Sequence, residues 1–214
     1  MGIGGSWDGV AEYKILFNNA AVSAATMAMA DLTPAEVYHG GVETEGLAFV
    51  RHYELDNGTF AGSSFGDFKS GKIIGYAEKA DSHLGLVRFV RNAEGKKDIV
   101  MMSFPAHATF NGQATDLWLS ADYPGVARQY VEQNSECVVA FFVGGAGNQV
   151  PTSKIPGDGK AQSEDYKTHG KLLGEYVVNA LPALTKLEST EMKLMERTYT
   201  GASNQEGLEK LPNV

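Results

Sequence analysis

The sequence predicts an α/β domain, a mixed sheet layered with helices. Three observations predict it. Apolar runs of strand length at 98–104 and 137–143 end in small, polar, turn-forming residues, as buried strands do. Apolar side chains recur at helical spacing in Val10, Tyr13, Phe17, Ala20, Ala24 and Met27, and again in Tyr166, Leu173, Val177, Ala180 and Leu184. Strand and helix signals intermix with no internal repeat and no break in composition, giving one domain over 1–200 and a polar tail over 201–214.

The first helix is expected to start at Asp8, whose carboxylate is placed to accept from the first free amides. It ends at Thr33-Pro34, because proline disfavours helical geometry in its predecessor. Its alanine-rich stripe suits close packing on a sheet. Strands over 36–42 and 47–55 follow, and Asp56-Asn57-Gly58 is a tight-turn signal. Positions 59–80 show no clear period and read as a long surface loop. A hairpin around 92–95 joins strands at 84–91 and 98–104. A helix is expected over 124–134, with Pro124 in its first turn where a missing N–H does no harm. Residues 137–143 read as a central strand, 153–163 as a polar loop before the second long helix, and 191–200 as a last strand with Met192 and Leu194 on one side.

Composition narrows the function classes. In 214 residues, 43% hydrophobic and 21% charged content fits a globular protein with a sizeable core. A formal net charge of -8, with no basic cluster, argues against a nucleic-acid partner. The apolar runs are far short of a membrane span, and no basic-then-apolar leader opens the chain, so neither a transmembrane segment nor a signal peptide is expected. Cys137 is alone, which precludes an internal disulfide, and its place at the head of an apolar run reads as a buried, inert thiol.

The chemistry concentrates between 98 and 151. His107 follows a buried strand in Phe104-Pro-Ala-His107-Ala-Thr109, where its ring suits either a metal or a backbone carbonyl in the core. The loop Gly144-Gly-Ala-Gly147-Asn-Gln-Val-Pro151 lacks the Gly-Lys-Ser/Thr ending of a phosphate loop, and Val150 stands where a dinucleotide fingerprint needs its third glycine. Its amides can approach a substrate oxygen closely, or the glycines simply make a tight strand-to-loop turn. Arg51 offers a guanidinium fork to a substrate carbonyl or to a carboxylate such as Asp122. Asp122 precedes a helix and suits a cap or support behind His107. His39, His52, His83 and His169 do not cluster in sequence and are expected at the surface or its boundary.

The order of these motifs resembles the neutral (non-lysosomal) ceramidase family. The likeness runs from Glu45-Gly-Leu-Ala-Phe-Val-Arg51 through the His107 segment, Leu119-Ser-Ala-Asp122-Tyr-Pro-Gly125 and the glycine loop to Lys167-Thr-His169-Gly. The resemblance implies zinc as cofactor, with His107 matching one of two histidine ligands, and a metal-activated water that cleaves an N-acyl bond. It implies Gly147 and Asn148 as part of the catalytic loop and Arg51 as a substrate contact; Thr109 is expected to touch substrate too, and Asp122 to cap its helix or support His107. Asn148 and Val150 stand where the family has aspartate and serine, and the remaining ligands are expected outside positions 1–214, so the fold is expected to be incomplete relative to the family's catalytic domain. An N-acyl lipid or other small amide is the expected substrate, and a secreted or extracytoplasmic setting is implied. Strand edges left open by the missing segments would be relieved by pairing, which suggests a homodimer. The competing expectation is a non-catalytic, truncated or degenerate α/β domain that binds no metal on its own.

Overall fold

The structure, a computed structural model, describes residues 11–62, 67–111, 120–152, 165–189 and 191–201. Its centre is a five-stranded sheet in the order β10-β1-β6-β7-β8. The strands are β1 (Glu36–Glu43), β6 (His83–Val90), β7 (Asp98–Phe104), β8 (Cys137–Val143) and β10 (Thr185–Lys186). All neighbours are antiparallel except β7 and β8, which run parallel with Met102 opposite Phe141. Alternation sends Leu84, Leu86, Val100, Met102, Phe104, Cys137 and Val139 to one face, where all are buried. The helices α2 (Asp122–Asn134) and α3 (Tyr166–Ala180) cover that face with Tyr123, Ala127, Val131, Leu173 and Val177. Each such aliphatic side chain contributes about 1.5–3 kcal/mol by leaving water.

Two glycines let α3 press against α2. A Cβ on Gly170 would lie 2.6 Å from the carbonyl oxygen of Tyr123, and one on Gly174 would lie 2.8 Å from the ring of Tyr130. Spaced four apart, they share one face of α3. The N-terminus of α3 is capped by Asp165, whose carboxylate accepts from the amides of Lys167 and Thr168; the Thr168 side chain first, and then these amides, hold it below its usual pKa.

Smaller sheets carry the remaining strands. The segment expected as one strand at 47–55 breaks at Arg51. Its first half, β2 (Phe49–Val50), pairs with β9 (Gln149–Val150); its second, β3 (His52–Leu55), lies between β4 (Phe60–Gly62) and β5 (Ile73–Tyr76). The expected surface loop at 59–80 therefore supplies two strands, hidden in the sequence because each is too short to show a period. Gly58, at φ +78°, makes the turn after β3.

Other expectations are corrected. β8 is an edge strand, not a central one. Helix α1 (Ala11–Ala30) forms, but every side chain described from 12 to 30 is exposed, so its stripe packs on no sheet. Residues 191–200 form no strand and are exposed, because no neighbouring strand offers them a ladder. The expected cap Asp8, the loop at 153–163 and the tail beyond 201 lie outside the described residues. Among the described residues no helix is long and apolar enough to cross a membrane.

Candidate functional site

The chain brings Arg51, His107 and the glycine loop together through three successive carbonyls. The guanidinium of Arg51 donates to Gly147 O at 2.9 Å, its backbone amide donates to Asn148 O at 2.8 Å, and the amide of His107 donates to Gln149 O at 3.0 Å. β7 and β8 run parallel, so their carboxyl ends deliver His107 and the loop to the same end of the sheet. The backbone after Phe104 is close-packed here, since Gly144 donates to Phe104 O and a Cβ on it would lie 3.3 Å from Pro105.

His107 is half-buried, between buried Ala106 and exposed Ala108 and Thr109. Gly145 and Gly147 face open space, with nothing within 4 Å of where a Cβ would sit. Among the described residues, no group accepts from the amides of Gly147 and Asn148, and both residues are exposed. Val150 is paired in β9 opposite Phe49.

Asp122 does not cap α2 from outside. The cap position is Ala121, and Asp122 is the first helical residue, at φ +51° in the left-handed region that aspartate tolerates better than most. Its carboxylate accepts from Asn111 N at 2.8 Å and Tyr123 N at 2.6 Å, pinning the strand–helix connection. The partner found for Arg51 is a backbone carbonyl, in place of the carboxylate of Asp122.

Two residues that carry the site carry no motif of their own. Gln149, only 3% exposed, receives Asp81 N at its amide oxygen and donates from its nitrogen to Pro105 O. Tyr123, fully buried, donates its hydroxyl to Ala106 O at 2.6 Å, and burial, aided by the charge of Asp122, raises its pKa. Together they fix the carbonyls of the two residues that lead into His107. The available signal was a long polar side chain at 149 between a glycine loop and Val150-Pro151, where burial would require it to be bonded.

His169 corrects the expectation of a surface residue. It is fully buried, its ring 4.7 Å from that of Tyr123 and 5.1 Å from that of Phe110. Loss of water pushes its pKa down to about 4, against a smaller upward pull from Asp165. It lies on the face of α3 that meets the sheet, three residues after Tyr166 and four before Leu173, at the helical spacing of the apolar stripe itself. His39 and His83 are exposed; His52 is half-buried and bonded to Glu78 at 2.8 Å.

A zinc centre needs three or four protein ligands. The described residues contain no group of three or more His, Cys, Asp or Glu that could hold a metal, so they do not by themselves fit zinc.

No protein-family model and no curated protein matches the chain. Among solved structures it is similar to the neutral ceramidase of Pseudomonas aeruginosa, at 25% identity and a TM-score of 0.52 over 74% of this chain and 24% of that one. It is similar also to a ceramidase complexed with C2, at 25% identity and a TM-score of 0.51, over 71% and 23% respectively. The chain thus has a ceramidase-like α/β fold, mixed sheet and helices in place, and spans about a quarter of the length of the ceramidases it resembles.

Proposed function

We propose that this chain is a segment of an amidohydrolase resembling neutral ceramidase, acting on an N-acyl bond of a lipid or other small amide. The observation that supports it most is the convergence of Arg51, His107 and the loop at 147–149 at the carboxyl ends of β7 and β8. The part of the reaction these residues suit is carbonyl binding. The amides of Gly147 and Asn148 would donate to the carbonyl oxygen and bind it more strongly as negative charge develops. Arg51 holds the loop in shape through Gly147 O, and Thr109 lies exposed two residues past His107, where substrate would pass. His107 presents a half-exposed imidazole at the same rim. Zinc is the cofactor that the family likeness suggests, with His107 as the one ligand offered here; the others would come from outside the described residues.

A specific observation favours a second reading, a non-catalytic domain that binds no metal alone: no group of three candidate ligands stands among the described residues. Zinc content and turnover separate the two. The first reading expects release of a fluorescent fatty acid from an N-acylsphingosine when zinc is supplied. His107→Ala should lower the rate at least about a hundredfold, as loss of one key group does. A purified chain that holds no zinc and leaves N-acyl substrates intact overturns the enzyme reading for this polypeptide.

A further inference from the structure

Two apolar surfaces of this chain are left uncovered by the described residues. One is the second face of the main sheet. Its rows run across the strands, with Val37, Phe89, Ile99 and Val138 in register in one of them and Met101 and Phe142 in the next two. No residue pointing to this face is buried; Glu43 and His83, paired with each other at 3.2 Å, sit at one end of it, and His39 is the other titratable group on it. A parallel strand pair such as β7–β8 is ordinarily covered on both faces. The face is also creased: a cavity of about 770 Å³ lies elsewhere, whereas one of about 400 Å³ lies here among Gly40, Gly85, Val87, Met101 and Phe142.

The other surface is α1. Its only charges, Glu12 and Lys14, stand in the first turn, and 15–30 is uncharged throughout. Its large side chains lie between 59% exposed at Phe17 and 71% at Met27. Apolar residues occupy every side of it, the pattern of a helix buried in protein. A helix lying on a membrane surface would instead show one apolar face and a basic one.

We infer that α1 of one molecule covers the open sheet face of a second copy, reciprocally, in an exchanged dimer. The areas suit this. The side of α1 that carries Tyr13, Leu16, Phe17 and Met27 offers roughly 500 Å², more than half of what one partner brings to a standard interface. Exchange counts that contribution twice and adds both sheet faces. The connection favours exchange over folding back. Asp31 is bound by Arg91 and Lys96 at the β6–β7 turn, and Pro34 stiffens the short link from Ala30 to Glu36. Beyond this anchored link α1 stands exposed, off its own sheet, and short constrained hinges are where exchange of an element arises.

Sedimentation of the 214-residue chain over micromolar concentrations, with hydrogen exchange read on α1, tests this. A dimer is expected, with α1 amides that are protected in the dimer and lose protection on dilution. Phe17→Glu with Met27→Glu on the helix, and separately Met101→Glu on the sheet, should each weaken association at least about a hundredfold by burying unpaired charge. Mixing the two variants restores one of the two contacts and should recover part of the association. The helix variant changes only exposed positions, so its fold is checked by circular dichroism of the remaining elements. A chain that stays monomeric overturns the inference, whether its α1 is unprotected, docked on its own sheet, or captured by vesicles of phosphatidylcholine and phosphatidylglycerol. So does a dimer indifferent to Met101→Glu.

Discussion

Gln149 shows how one side chain sets both stability and site geometry. Its amide oxygen and nitrogen satisfy Asp81 N and Pro105 O, in a position 3% exposed. Gln149→Ala strands both backbone groups and should cost about 2–4 kcal/mol, read as a lower urea midpoint. His107→Ala, by contrast, removes a half-exposed ring whose tie to the loop is its backbone amide, and should cost less than about 1 kcal/mol. His169 makes a prediction with a definite sign. Its pKa is about 4 in the folded chain against an ordinary 6.5, so between these values the unfolded chain binds the extra proton. Stability is therefore full above pH 6.5 and falls as pH drops toward 4, by up to about 3 kcal/mol in all. Thermal midpoints from pH 7.5 to 4.5 measure it, and His169→Phe should flatten that part of the profile. An unchanged slope in the variant would remove His169 as the cause.

At the scale of elements, the α2–α3 contact depends on absent side chains. Gly170→Ala gains about 1 kcal/mol in helix propensity. Against this, its methyl would meet Tyr123 O and Val126 Cβ at 2.6 Å, and one of those contacts is backbone that cannot turn aside. The net effect should be a loss of about 2 kcal/mol or more, visible in chemical denaturation, because overpacking outweighs propensity. Elements that obey a local rule were legible in the sequence. The hairpin of β6 and β7, the start of β8 and the period of α3 follow from alternation, turn residues and spacing. What escaped depends on partners distant in the chain. β4 and β5 exist because β3 lies between them, and β8 is an edge because no further strand of the described chain reaches it. The same holds at the site. His107 and the loop could be placed from strand ends, whereas Gln149 and Tyr123 act through carbonyls that no motif marks. α1 was read correctly as a helix and wrongly as packed, since periodicity reports an apolar side and not what meets it.

For the whole molecule, charge decides how often the uncovered surfaces meet. The formal net charge is -8 at pH 7 and the isoelectric point is about 5.1. Above pH 7 mutual repulsion opposes encounters between molecules, and near pH 5 it vanishes. Light scattering at fixed concentration should accordingly rise as pH falls, with a maximum close to 5. Acid destabilisation through His169 occupies the same interval, and salt separates the two causes. Raising ionic strength at pH 7.5 shortens the screening length from about 10 Å at 0.1 M to about 3 Å at 1 M, removing repulsion without protonating a histidine. Association through the apolar surfaces should then increase at pH 7.5 while the urea midpoint shows no acid-type loss. Met27→Glu, placed on exposed α1, should suppress the increase. Scattering that rises only where the midpoint has already fallen would mean that unfolded chains, not uncovered native surfaces, come together.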